Sequence, residues 1–295
     1  MDILKASAPS MVSDLEKVVA SVASSKKYRA VCNDTVRRIA ERELAHRGSP
    51  KAAAKATKRR LHQIYGGFEQ PFDYDLAYQQ LAAVYHAGSE AAILAASRKL
   101  LGQHSSTRER LPILDQFYAE ILAITGRPAS ILDLGCGLNP LALPWMDLDG
   151  GARYIALDID TDRIRFLNRY LALAGLAPLA RCQDILSQPP RDEADLALLL
   201  KMSPSLERQG AGSTRWLLER LNAPFLVVSF AVKSLGGRDK GMPDQYKRQF
   251  SQAVENRDWL VEKLVFETEL VFVVKREQTG STAGTFAAET DDQDG

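Results

Sequence analysis

Ten residues near the middle of the chain, Ile131-Leu132-Asp133-Leu134-Gly135-Cys136-Gly137-Leu138-Asn139-Pro140, gather the groups best suited to holding a ligand. An apolar run leads through Asp133 into a glycine loop, where missing side chains let a ligand approach the backbone. Two further acids close later apolar runs: Asp158, and Asp184 within Cys182-Gln183-Asp184-Ile185. A carboxylate about 20 residues after such a loop can accept hydrogen bonds from both ribose hydroxyls of a nucleoside. One at the third run is placed to accept from an adenine amino group. A glycine pair alone is a weak signal, because nicotinamide enzymes use similar turns. Those normally add a third glycine that seats pyrophosphate on a helix N-terminus, whereas here the chain runs into Leu138-Asn139-Pro140. Singly, Asp133 also fits a turn cap and Asp158 a surface acid; the three acids together fit those roles poorly.

An acid at each of the first three strand ends, with Asp-x-Gly-x-Gly in the first, resembles the class I S-adenosylmethionine methyltransferases. The fourth apolar run ends in Leu200-Lys201-Met202-Ser203-Pro204. Enzymes of this kind that methylate an exocyclic adenine amine usually carry an Asn/Asp-Pro-Pro-aromatic motif there, and those acting on cytosine C5 need a nucleophilic Cys. Neither is present, so covalent catalysis is not expected. The missing general base fits a ring nitrogen with a free lone pair, such as guanine N7, which attacks the sulfonium methyl without losing a proton. Catalysis then consists mainly of positioning an extruded base in line with the methyl.

The elements that must position these groups fall into two textures. Up to residue 122 the pattern is helical, with apolar positions three and four apart, as in Thr35-Val36-Arg37-Arg38-Ile39-Ala40, and breaks at Gly48-Ser49-Pro50, Gly66-Gly67 and Pro71. An N-terminal all-helical domain over 1–122 is expected. Beyond Gly126-Arg127-Pro128, short apolar runs at 130–134, 154–157, 196–200 and 225–230 alternate with helical stretches. Such runs read as strands buried on both faces, and the alternation implies a doubly wound α/β domain over 123–277, Rossmann-like and mostly parallel. Runs at 260–266 and 270–275, separated by a turn at Glu267-Thr268, predict a seven-stranded sheet ending in an antiparallel hairpin. Residues 278–295 carry too little apolar surface to offset their ordering entropy and are expected to be a disordered tail.

Composition sets the outer limits. With 295 residues, 45% apolar and 25% charged, the chain can bury a full core. It has no apolar run of the roughly 20 residues that span a bilayer and no secretory-type leader, so a cytoplasmic address and no membrane partner are expected. Cys32, Cys136 and Cys182 lie singly, without metal-ligand or disulfide spacing, and no metal site is expected. The net charge of +1 conceals an asymmetry. Residues 1–70 hold 14 Lys and Arg against 7 Asp and Glu, whereas 278–295 hold four acids and no base. A cluster such as Lys51, Lys55, Lys58, Arg59 and Arg60 can neutralise nucleic-acid phosphates in a salt-sensitive way, or form a solvated helix face.

A closer resemblance rests on longer stretches. Ser24-Ser25-Lys26-Lys27-Tyr28-Arg29 with Asp34-Thr35-Val36-Arg37-Arg38, then His104-Ser105-Ser106-Thr107-Arg108-Glu109-Arg110-Leu111, Cys136 to Leu143, and Ser234-Leu235-Gly236-Gly237-Arg238-Asp239-Lys240-Gly241-Met242 all resemble the aminoglycoside-resistance 16S rRNA (guanine-1405-N7) methyltransferases. The likeness covers about residues 20–277. It implies methylation of a decoding-site guanine in the assembled 30S subunit, blocking kanamycin- and gentamicin-type drugs, by an enzyme expected to be monomeric.

The resemblance assigns Lys26, Lys27, Arg29, Arg37, Arg38, Lys58, Arg59 and Arg60 to rRNA docking. It places His104, Ser105, Ser106, Arg110, Asp133, Gly135, Gly137, Asp158, Asp184, Ile185, Leu200 and Gln209 around the donor. Phe68 and Tyr65 can pack on its adenine, or serve as core of the helical module. Lys201, Glu207 and Arg238 would hold the target nucleotide. Arg110 can grip a methionine carboxylate with a bidentate fork, or pair with Glu109 or Glu120. Lys201 can hold phosphate or a base acceptor, or snorkel to the surface. Gly236-Gly237-Arg238 reads as a mobile lid or a plain loop. Two other functions remain open: a methyltransferase for a small molecule, which leaves the basic helices without a task, and a non-catalytic rRNA-binding factor, which the intact acids argue against.

Overall fold

Periodic apolar positions and clear end signals account for the N-terminal helices seen in a computed structural model, which describes residues 8–66, 72–232 and 242–276. The first three are α1 (Ala8–Ala23), α2 (Asn33–Arg47) and α3 (Pro50–Leu61). Helix α2 has Asp34 in its first turn and His46 and Arg47 in its last, complementing the helix dipole, and stops at Gly48 with φ 63°. Pro50 then opens α3, where its missing N–H costs nothing. These helices enclose their own core of Val18, Val22, Val36, Ile39, Ala53 and Leu61. A π-helical turn, His62–Gly66, follows.

Four more helices follow: α4 (Tyr74–His86), α5 (Glu90–Leu101), α6 (Ser105–Arg110) and α7 (Leu114–Thr125). Asp73 and Ser89 cap α4 and α5 by accepting the Leu76 and Ala92 amides. Their apolar faces do not extend the first core. Leu81, Leu100, Leu101, Phe117 and Ile121 pack in one cluster with Ile131, Tyr154 and Leu196. The boundary expected at 122 therefore meets no break in packing. The independent helical core ends with α3 and its π turn, and the later helices cover a face of the sheet.

The sheet is built from β1 (Ser130–Leu134), β2 (Arg153–Asp158), β3 (Arg181–Cys182), β4 (Leu196–Leu200), β5 (Phe225–Ala231), β6 (Trp259–Val265) and β7 (Glu269–Arg276), in the order 3-2-1-4-5-7-6. Helix α8 (Thr161–Leu173) joins the layer with α4, α5 and α7. Helices α9 (Ser203–Gln209), α10 (Ser213–Leu218) and α11 (Met242–Val254) cover the other face. The first five strands run parallel, and β7 lies antiparallel between β5 and β6, as the terminal hairpin requires. Strand β3 has two residues, so Asp184 lies just beyond it rather than ending it. Its sequence is too polar to make a buried strand of ordinary length.

The three-helix module is pinned to the carboxyl end of β2. Val31 bridges Asp160 in antiparallel fashion. The Cys32 amide donates to the Ile159 carbonyl at 2.7 Å and the Thr161 amide to Ala30 at 2.8 Å. Tyr65 donates its hydroxyl to the Asp160 carboxylate at 2.6 Å, while the same acid caps α8 through the Asp162 and Arg163 amides. Ligands of open α/β sheets bind at the carboxyl ends of the strands, so the module is fixed beside that position.

Candidate active site

The loop after β1 turns through Gly135 and Gly137, both left-handed at φ 63° and 53°. A methyl group on Gly135 would stand 2.5 Å from Met202 Sδ, and one on Gly137 3.3 Å from the His104 ring. The glycines thus keep backbone open to a cavity of about 410 Å³ above the strand ends. Its walls come from all parts of the fold: Arg38 and Tyr65 from the module, His104 to Ser106 before and in α6, Asp133, Asp158, Asp184, and Lys201.

Each of the three acids meets a different environment. Asp133 accepts from Tyr154 at 2.6 Å and Asn139 Nδ2 at 2.9 Å, and complete burial lifts its carboxyl to about 6. Asp158 accepts the Gly137 amide at 2.8 Å on one oxygen; on the other it takes the Ile159 amide and Arg163 Nη1. Asp184 accepts the Leu186 amide at 2.9 Å and, on Oδ2, Arg38 Nε at 2.8 Å. Arg38 also donates to Gln209 Oε1 at 2.7 Å. This arginine, expected on the rRNA face, is half-buried at the junction of module and cavity.

His104 is half-buried; desolvation, reinforced by Arg163, pushes its imidazole down to about 4, so it stays neutral. Among the described residues, His104 Nδ1 and Ser105 Oγ are buried without a hydrogen-bond partner, although both residues line the cavity. Unpartnered buried polar atoms around a glycine cradle fit a polar ligand. Ile185 and Leu200 add apolar wall.

A buried ionic knot closes the opposite side. Glu269, the first residue of β7 and fully buried, grips Arg110 with both oxygens, at 2.8 and 3.1 Å. Burial would raise its carboxyl, but Arg110 and Lys201 outweigh that and hold it below the usual range. Arg110 also donates to Asn139 Oδ1 at 2.7 Å and lies over the Phe117 ring. Its fork is therefore directed at Glu269, not at Glu109 or Glu120. Lys201 has a left-handed backbone at φ 60°, and its ammonium contacts the Ser106 carbonyl at 2.9 Å, Glu109 at 3.0 Å and Glu269 at 3.1 Å. Glu207 instead accepts the Gly212 and Thr214 amides at 2.7 and 2.8 Å, capping α10. Phe68, the Gly236-Gly237-Arg238 segment read as a lid or a plain loop, and the tail lie outside the described residues.

On the module, Lys26, Lys27, Arg29, Arg59 and Arg60 are exposed and Lys58 half-exposed. Lys27 contacts His62 Nδ1 at 3.0 Å, Arg37 pairs with Glu16 at 2.6 Å, and Arg60 lies 3.4 Å from Glu43. Tyr65, read as packing on the adenine or as module core, lies in the module core, lines the cavity and bonds Asp160. Glu269, Asn139 and Arg163 were not singled out from the sequence. Asn139 stands inside the glycine-loop motif and was within reach. Glu269 gave no signal, because only the β5–β7 pairing brings it to the site.

This strand order, with acids at the carboxyl ends of β1 and β2 and just beyond β3 around a glycine loop, defines a class I S-adenosylmethionine methyltransferase fold. A family model described as "Ribosomal RNA methyltransferase (FmrO)" matches residues 24–273, and the chain belongs to that ribosomal RNA methyltransferase family. It is 41% identical over 266 residues to the 16S rRNA (guanine(1405)-N(7))-methyltransferase of Frankia casuarinae, covering 89% of this chain and 94% of the relative. The enzyme of the same name from Micromonospora echinospora is 39% identical, covering 89% and 97%. Among solved structures, 16S rRNA methyltransferase RmtF in complex with S-adenosyl-L-homocysteine matches with TM-score 0.76 and 36% identity over 89% of this chain and 98% of that one.

Proposed function

We propose that this protein uses S-adenosylmethionine to methylate N7 of guanine-1405 in 16S rRNA of the assembled 30S subunit, giving resistance to kanamycin- and gentamicin-type aminoglycosides. The observation that carries the reading is the likeness, over 89% of the chain, to relatives named 16S rRNA (guanine(1405)-N(7))-methyltransferase, joined to a cavity lined by Asp133, Asp158 and Asp184. It is expected to act as a monomer in the cytoplasm, where its substrate resides. No helix among the described residues is long and apolar enough to cross a membrane.

Bound S-adenosylmethionine supplies a methyl on a sulfonium, ready for displacement. Asp158 would accept the ribose hydroxyls on its less crowded oxygen. Asp184, fixed by Arg38, would accept from the adenine amine, with Ile185 and Leu200 as apolar wall beside the ring. Asp133, His104, Ser105 and Ser106 would hold the amino-acid end, and Gln209 braces the module wall through Arg38. Guanine N7 attacks with its own lone pair, so no residue removes a proton, and the protein aligns the reactants and excludes water. Lys201 lies where a flipped base would enter, and Arg238 is proposed to hold its backbone. Glu207 supports that entrance through α10. The exposed bases from Lys26 to Arg60 dock the module on rRNA.

Purified protein is incubated with labelled S-adenosylmethionine and either intact 30S subunits or stripped 16S rRNA, followed by borohydride and aniline cleavage and primer extension. A single cleavable site in the decoding helix, found with assembled subunits alone, is expected. No incorporation into either substrate would overturn the rRNA assignment.

A further inference from the structure

We infer that Glu109 reads the Watson–Crick edge of the target base and makes the site selective for guanine; the inference rests on the guanine acceptor proposed above. The strand order places Asp158 and Asp184 on one side of the β1 loop and Lys201, at the end of β4, on the other. Glu109 reaches the Lys201 side from α6 and lines the same cavity, its side chain 26% exposed. Oxygen Oε2 meets Lys201 at 3.0 Å, and Oε1 has no hydrogen-bond partner among the described residues. The neighbouring Glu269 is fully buried and held by Arg110, so Glu109 is the acid of this knot that can turn toward a ligand.

Guanine presents N2–H and N1–H donors beside the O6 acceptor. A carboxylate next to an ammonium is the complement of that row, since the carboxylate only accepts and the ammonium only donates. All three protons of Lys201 are directed at Ser106, Glu109 and Glu269. Entry of guanine exchanges the Glu109–Lys201 contact for one from Lys201 to O6 and two from N1–H and N2–H to Glu109. N7 lies beyond O6, on the edge turned away from Glu109 and toward the donor. An adenine presented through N1 offers no such donor pair.

In the transfer, the C–S bond breaks as the N7–C bond forms, the sulfur keeps the bonding electron pair, and the positive charge passes to the purine. Glu109 stands beside the ring that becomes cationic and so favours the transition state more than the neutral base.

The test crosses Glu109→Gln with inosine at the target position, in 30S subunits reconstituted with site-specifically substituted 16S rRNA. Inosine lacks the 2-amino group and keeps N7, O6 and N1–H. For the native enzyme, inosine should lower kcat/KM about tenfold or more, the loss expected for one hydrogen bond to a charged group. With Glu109→Gln the guanine rate should fall ten- to a hundredfold while inosine adds little further loss. Binding of S-adenosylhomocysteine, followed calorimetrically, should stay within a few-fold. If Gln disturbs that binding, Glu109→Asp, which keeps the charge but shortens the reach, is put through the same cycle and should show the same coupling. Independent, multiplying losses in the cycle would overturn the assignment of Glu109. Absence of methylation by the native enzyme would instead overturn the proposed function.

Discussion

Arg38 Nε stands 2.8 Å from Asp184 Oδ2, so an arginine of the three-helix module braces an acid of the cavity above the strand ends. The module is thus a wall of that cavity as well as a basic surface. Replacing Arg38 with Ala leaves a buried carboxylate without its cation, while the partial exposure of Arg38 moderates the effect. We expect S-adenosylhomocysteine affinity to fall about five- to tenfold, equivalent to about 1 kcal/mol, by titration calorimetry. Unchanged affinity would mean that the pair only fastens the module.

Glu269 neutralises two cations from distant parts of the chain. Glu269→Ala should lower unfolding free energy by about 3–5 kcal/mol in chemical denaturation, the usual consequence of removing one partner from a buried pair. The depressed carboxyl has a defined pH signature. Its contribution is complete above the ordinary carboxylate value and disappears as pH falls through the lower folded value. Acid unfolding of Glu269→Gln should therefore be flatter than that of the native protein.

Asp133 acts in the opposite sense. Its folded value of about 6 exceeds the ordinary 3.8, so its contribution is complete below 3.8 and is lost as pH rises through 6. Asp133→Asn should remove that slope and gain stability at pH 7.5, on the order of 3 kcal/mol at most. Donor binding should weaken in this variant at every pH. In the native protein, binding should weaken as pH falls below 6, because Asp133 takes up its proton. His104, lowered to about 4, should give no step between pH 5 and 9.

Gly135→Ala adds a methyl 2.5 Å from Met202 Sδ at a left-handed φ of 63°. We expect loss of measurable donor binding and about 1–2 kcal/mol of stability. Met202→Ala should restore part of the stability and little of the binding, since the backbone strain remains.

Charge reversal at Lys58, Arg59 and Arg60 should weaken 30S binding while sparing S-adenosylhomocysteine affinity. Plotted as log K against log salt, the slope should shrink by about 0.7 for each phosphate that is no longer neutralised. An unchanged slope would place the rRNA surface elsewhere.

Most of the sheet was legible because its strands are buried on both faces. The runs at 130–134 and 196–200 match β1 and β4 residue for residue, and the Glu267-Thr268 turn falls between β6 and β7. β3 was harder, since two residues make no pattern. Helices were visible through their 3.6 period, but the layer they join depends on long-range packing; hence the shared core of α4, α5 and α7 with the sheet escaped the sequence. The glycine loop and its acids are local motifs and could be read directly. Glu269 and the inward turn of Arg38 arise from contacts between elements far apart in the chain.

The position of β7 also bears on the order of assembly during translation. Arg110 and its partner Glu269 are 159 residues apart in the chain. β7 must enter between β5 and β6, although β6 is made first. Until that last insertion, Arg110 and Lys201 have no buried acid to neutralise them, and the cavity wall that they form cannot close. β1, β2 and β4 are all made before β7, whereas the wall formed by Arg110, Lys201 and Glu269 is complete only once β7 is in place.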